Sequence, residues 1–233
     1  MWRTTNRSPG EEASLATHTR VCIDRLISVL NDESRGPAPH PCMAYASSSQ
    51  VYITVTKWAL SNHDEAMNRA AALFFSTLID SEVDGIVDNR LFARALVDLV
   101  SRADPRPEAV EARLVELLFA VANNIRLETG ILSAWFNPKK GKVTLEDEDE
   151  HTSTPGRGRV FAGATRKEDF PLFYLLIDYV HREGRVGDFA RAGLLYLIET
   201  ASRSEVLERW LVESDLAALM ATGLGALYSQ LGR

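Results

Sequence analysis

His63 and Asp64 are the one adjacent pair in this chain whose residue types match a known reactive arrangement: an imidazole and a carboxylate that hold a metal ion in helical metal-dependent phosphohydrolases. Such a centre needs a further histidine before the pair and a further aspartate after it. His40 and Asp188 are available in the right order. His40, however, stands between Pro39 and Pro41, where regular structure is interrupted, and Asp64 has a sufficient role in the first turn of a helix. The structural role is the expected one for both. The acidic block from Glu146 to Glu150 lacks the alternating ligands and turn-making glycine of a calcium loop. Lys139, Lys140, Lys142, Arg157 and Arg159 surround that block and are largely neutralised by it, which argues against a nucleic-acid patch. Thr152, Ser153 and Thr154 beside Pro155 form a polar segment in which phosphate could be accepted, and an ordinary loop explains the same composition. His181 falls near a helix end, where a cation is favourable without any catalytic role. No G-x-x-x-x-G-K, G-x-S-x-G or H-E-x-x-H pattern occurs. No catalytic residue, metal ligand or cofactor site is therefore expected.

The elements that would have to position these groups read as helices throughout. Residues 1–10 read as a flexible tail, in which Trp2 is a weak candidate anchor. Leu15, Cys22, Leu26, Val29 and Leu30 then predict a helix to Asn31. The run Gly36-Pro37-Ala38-Pro39-His40-Pro41 breaks it, and a loop is expected to about Ser49. Val51 to Thr56 has strand-like composition but no partner strand, so a helix to Leu60 is predicted. Asn62 with Glu65 predicts the capped start of a helix to Asp80; Asp88 predicts another, ended by Asp104-Pro105-Arg106-Pro107. A longer helix through Leu114, Leu118, Val121 and Ile125 ends at Gly130, and a short turn spans Ile131 to Phe136.

Phe170 to Val180 is apolar except for Asp178, so this helix has to be covered on several faces. His181-Arg182-Glu183-Gly184 ends it, and Asp188 after Gly187 is expected to start the next helix, through Thr200. Ser202 and Glu205 form an S-x-x-E capping box for a third. Ser214 or Asp215 starts the last, with Leu216, Leu219, Met220, Gly223, Leu224 and Leu227 as one stripe. Gly223 and Gly225 suggest close approach of a neighbouring helix. Trp58, Trp135, Trp210, Phe74, Phe75, Phe119 and Phe173 are expected in the core. The whole predicts an all-α protein, an α-solenoid of stacked HEAT/armadillo-like helices. Residues 11–233 are expected as a single segment, with 137–168 a disordered charged insertion loop. The last helix has little polar covering, so an exposed apolar face, a tendency to associate, and a portion of a longer protein are expected.

At 233 residues, 45% hydrophobic and 25% charged, the chain is long enough for a substantial core. A net charge of -6 opposes broad attraction to phosphate backbones or anionic lipid. Two cysteines, Cys22 and Cys42, are too few for a disulfide framework and lack zinc spacing, so free thiols in a reducing compartment are expected. No apolar run approaches the ~20 residues of a membrane span.

The runs "DFPLFYLLIDYVHREGRVGDFARAGLLYLIE" and "WLVESDLAALMATGLGALYSQL" resemble the FTS and Hook-interacting protein (FHIP) family, as do "RAAALFFSTLIDSEVDG" and "LVELLFAVANNIRLE" upstream. The resemblance covers much of residues 50–231 and corresponds to an amino-terminal portion of longer family members. It implies a non-enzymatic helical scaffold of the FTS-Hook-FHIP complex that joins Hook and FTS proteins and, with dynein indirectly, links them to early endosomes or related vesicles through a Rab-type GTPase. The expected location is cytoplasmic, with indirect membrane association and no nucleic-acid partner. The competing readings are a helical phosphohydrolase centred on His63 and Asp64, and a Rab GTPase regulator. For the regulator, no candidate arginine finger stands out from the surface arginines.

Overall fold

The positions of apolar residues at three- and four-residue spacing translate directly into helices in the computed structural model, which describes residues 9–62, 64–81, 85–103, 108–138 and 167–231. In chain order these are α1 (Pro9–Ser34), α2 (Pro41–Ser48), α3 (Val51–Asn62), α4 (Glu65–Asp80), α5 (Arg90–Arg102) and α6 (Glu108–Leu127). A 3-10 turn (Thr129–Ile131) leads into the single-turn α7 (Leu132–Trp135). After residue 167 follow α8 (Pro171–Ile177), α9 (Gly184–Ala201), α10 (Glu205–Glu213) and α11 (Leu216–Leu231). No strand occurs among the described residues. Residues 1–8 of the expected tail and 139–166 of the expected insertion loop lie outside them.

The helices pack in two rows. Along one, α1 touches α4, α4 touches α6, and α6 makes its most extensive pairing with α9. Along the other, α2 touches α3, α3 touches α5, α5 touches α7 and α8, and α8 touches α11. α1–α2, α3–α4, α6–α8 and α8–α9 contacts tie the rows together. A continuous apolar cluster extends from Ile23 on α1 to Leu216 on α11. Near its α1 end, the Phe92 ring meets Tyr52 at 5.4 Å edge-on and Phe75 at 5.1 Å. Where α9 meets α6 and α8, Gly193 makes room for its neighbours, because a Cβ there would lie 3.1 Å from the Leu176 side chain of α8 and 3.7 Å from Ala122 of α6. The edges of this crossing carry Arg185–Glu116 at 2.7 Å and Arg126–Glu199 at 3.6 Å, with the Arg126 guanidinium 4.2 Å from the Tyr196 ring centre. Partly exposed pairs of this kind contribute little each, so the apolar crossing dominates.

As its composition demands, α8 is buried from Leu172 through Ile177 and is in contact with α5, α6, α9 and α11. Val51–Asn62 is helical, because its β-branched residues find an apolar neighbour in α5 and no strand to pair with.

Several boundaries depart from expectation. The predicted loop before Ser49 contains α2. Pro41 occupies its first turn, where the missing amide costs nothing, and Glu33 of α1 reaches over to accept the amides of Cys42 (2.9 Å) and Met43 (2.7 Å). Helix α1 starts at Pro9, within the expected tail, and runs on to Ser34. Start positions shift by one or two residues: the capping side chains are Asp64 for α4, Asn89 for α5 and Ser204 for α10, in place of Asn62, Asp88 and Ser202. The largest shift is at α9, which begins at Gly184 rather than Asp188. Gly184 adopts φ +66, and Gly187, now inside the first turn, lies so close to the preceding chain that a Cβ would sit 1.7 Å from the Arg182 carbonyl oxygen. Arg191 donates to the carbonyls of Val180 (2.8 Å) and Arg182 (3.0 Å), which closes the connection between α8 and α9.

Candidate protein-docking surfaces

Asp64 accepts the amide proton of Ala66 at 3.2 Å as the cap of α4. His63 lies outside the described residues. The two residues offered as its companions stand on separate elements: His40 precedes α2, and Asp188 is an exposed residue of α9 paired with Arg191 at 2.7 Å. Among the described residues, no three histidine, cysteine, aspartate or glutamate side chains gather closely enough to hold a metal ion. The Glu146–Glu150 block, the basic residues around it, the Thr152–Thr154 segment and Trp2 all fall outside the described residues. His181 is half-buried in the turn after α8. Cys22 and Cys42 are exposed and free of any disulfide. Hydrogen bonding to the neighbouring Glu33 carboxylate raises the Cys42 thiol above its ordinary range, with desolvation adding to the effect, so this thiol is less reactive than an isolated one.

The core carries one polar construction of note, where the segments ending at residue 138 and beginning at residue 167 meet. The Asn137 amide donates to the Asp169 carbonyl at 2.8 Å. Trp210 of α10 donates its indole N–H to the Asp169 carboxylate at 3.1 Å and packs against Phe136 (5.5 Å) and Phe170 (5.8 Å). Trp135 donates to the Val87 carbonyl at 2.8 Å, and Tyr174 donates to Asp215 at 2.9 Å. Apart from exposed Asn137 these groups are buried or half-buried, and all are partnered, so they hold the stack in register.

Accessible recesses lie instead between neighbouring helices. α3 and α5 enclose a cleft of about 400 Å³, with Ile53, Leu60 and Leu91 among its apolar lining and Lys57, Arg94 and Arg102 among its charged lining. Between α1 and α2 lies a shallower apolar trough of about 570 Å³, to which Leu26, Val29 and Tyr45 contribute. At the far end of the stack, α11 contains no charged residue, yet only Leu216 is buried; Leu224, Tyr228 and Leu231 are exposed. The expected stripe is thus half realised. Val180 lies 3.2 Å from where a Gly223 Cβ would be, whereas a Cβ at Gly225 would meet nothing within 4 Å. Trp58, expected in the core, is 41% exposed on α3, while Trp135 and Trp210 are buried and Phe119 is half-buried against Phe189 and Tyr196. Lys57, Arg94 and Arg102 belong to neither the core pattern nor the caps of the sequence. The visible signal was the spacing of Arg94, Asp98 and Arg102 at four-residue steps on the side of α5 away from Phe92, Leu96 and Leu99.

These features define an all-α protein of stacked helices whose accessible recesses are the seams between neighbouring helices. The chain belongs to the RAI16-like family, described as retinoic acid induced 16-like protein, whose family model matches residues 42–233. It is similar to FHIP family proteins of Drosophila ananassae (25% identical over 210 residues, 88% of this chain and 20% of the relative) and Drosophila melanogaster (25% over 210 residues, 88% and 20%). A Drosophila willistoni FHIP family protein is 26% identical over 204 residues, 85% of this chain and 18% of the relative. The family resemblance in the helical runs is thereby borne out. The chain spans about a fifth of the length of these relatives. No solved structure matches.

Proposed function

We propose that this chain is a non-enzymatic segment of an adaptor, an α-solenoid of the HEAT/armadillo kind that holds Hook and FTS proteins in an FTS-Hook-FHIP-type assembly. In this reading residues 11–233 act as one scaffold segment, and the assembly links dynein–Hook motors to early endosomes or related vesicles through a Rab-type GTPase. The chain resides in the cytoplasm, and its contact with membrane is made by its partners. The observation that carries the reading is the family match over residues 42–233 with FHIP family relatives. The two-row packing supports it, since rows of helices leave long seams on which other chains can lie.

The test is co-purification of the longer protein containing this segment with Hook and FTS homologues, followed by crosslinking mass spectrometry to place each partner on a helix pair. Purification free of both partners under gentle conditions would refute the adaptor reading. Phosphoester turnover that disappears in His63→Ala would replace it with the hydrolase. Acceleration of GTP hydrolysis or nucleotide exchange on an added Rab would replace it with the regulator.

A further inference from the structure

The α3–α5 cleft has a charge character opposite to that of the chain. The protein carries a net charge of -6, yet Lys57, Arg94 and Arg102 line this recess against a single carboxylate, Asp98. Among the described residues, none of the three cationic side chains takes part in an ion pair or hydrogen bond. Arg94 and Arg102 lie eight residues apart on one helix, a separation of about 12 Å, and Lys57 stands on the opposite wall. Between them Ile53, Leu60, Leu91 and Ala95 supply the apolar lining, and the Ser61 hydroxyl at its margin donates to the Lys57 carbonyl at 2.6 Å. The buried Thr56 hydroxyl donates to the Ala95 carbonyl at 3.4 Å, so the floor presents no unpartnered hydroxyl, and Leu91 is 43% exposed above it.

We infer that this cleft is the seat of a short acidic amphipathic helix supplied by a partner protein. The apolar side chains of that helix enter between Ile53, Leu60 and Leu91, and carboxylates flanking them meet Lys57, Arg94 and Arg102. Both walls are helices, and no strand edge exists among the described residues, so recognition by strand addition is not available here. A third helix laid along the seam continues the side-chain packing that builds the rest of the molecule. The recess spans about two to three helical turns, enough for apolar anchors at i, i+3 or i+4 and i+7. Carboxylates about two turns apart match the spacing of the two arginines. The exposed cations set orientation and association rate, and the apolar anchors set residence time. The occupant is defined by its chemistry, so failure of Hook or FTS to bind would leave this inference standing, and its own failure would leave the adaptor reading standing.

The experiment uses the full chain and three fluorescein-labelled probes of about fifteen residues, long enough for about four turns. One carries a leucine stripe at helical spacing with glutamates beside it, the second has the same residues shuffled, and the third has lysine in place of glutamate. Fluorescence anisotropy at about 0.15 M salt should show the first binding about tenfold or more tighter than the others. The double substitution Arg94→Glu and Arg102→Glu should weaken it by about tenfold or more, and Lys57→Glu separately by several-fold. Both changes fall on exposed side chains, and circular dichroism checks that each variant keeps its helices. Undetectable binding, equal binding of the shuffled or lysine probe, or full affinity in both folded charge-reversal variants would overturn the inference.

Discussion

Replacing Trp210 by phenylalanine should destabilise the fold by about 2 kcal/mol, although the ring remains. Trp210 is 4% exposed and its indole N–H reaches the Asp169 carboxylate at 3.1 Å; Asp169 is itself 7% exposed. Phenylalanine preserves most of the edge contacts with Phe136 and Phe170 but removes that donor. A hydrogen bond to a charged group contributes about 1.5–3 kcal/mol. Trp210→Ala adds the cavity left by the ring, for a total of about 4–5 kcal/mol. Urea unfolding followed by far-ultraviolet circular dichroism measures both. With a slope of about 2 kcal/mol per molar urea, the phenylalanine variant should unfold about 1 M earlier. Asp169→Asn keeps an acceptor but removes the charge, and combined with Trp210→Phe it should show a coupling of about 1 kcal/mol. A Trp210→Phe midpoint within about 0.2 M of the parent, or strict additivity of the two changes, would refute the role given to this bond.

Glu33 supplies a pH test. Desolvation is the largest single influence on its carboxyl and pushes it up, but the Cys42 and Met43 amides, helped by the Cys42 thiol and His40, outweigh that and leave it below the ordinary glutamate range. Its anchoring of α2 should therefore be complete above that range and be lost as pH falls through the lowered value, visible as faster amide exchange at Cys42 and Met43 relative to α3; unchanged relative protection would contradict it. Gly187→Ala should cost about 3 kcal/mol or more because of the Arg182 carbonyl, whereas Gly225→Ala in the open surface of α11 should stabilise by about 0.5–1 kcal/mol, both read by thermal unfolding. The exposed apolar side of α11 should make the isolated chain self-associate with rising concentration, and Leu224→Lys with Tyr228→Lys should restore a monomer in sedimentation velocity; a monomeric parent would refute it.

The helical class and the burial of α8 were legible because an apolar surface on nearly every side leaves few solutions. α3 was legible for a different reason, the absence of any strand to pair with Val51–Thr56. What escaped depended on groups far apart in the chain. α2 is held by Glu33, contributed by the preceding helix, so the proline-rich stretch before Ser49 reads locally as loop. The start of α9 depends on Arg191 satisfying carbonyls of the preceding connection and on Gly187 nesting against it, which made Asp188 look like the better cap. The α3–α5 cleft was hidden for the same reason: Lys57 and Arg94 belong to different helices, and only their packing sets them around one recess. Residues 139–166, and with them the acidic and basic blocks, lie outside the described residues.

The backbone bond between exposed Asn137 and buried Asp169 brings departure and return of the chain together at one point on the edge of the core. Flexible sequence added between these two residues need not disturb the ring contact of Phe136 with Phe170, 5.3 Å between centres, and each doubling of the added length costs only about 0.6 kcal/mol of closure entropy. This is the natural position for an epitope, a fluorescent reporter or a lineage-specific extension, carried by the protein as cargo without rebuilding its frame.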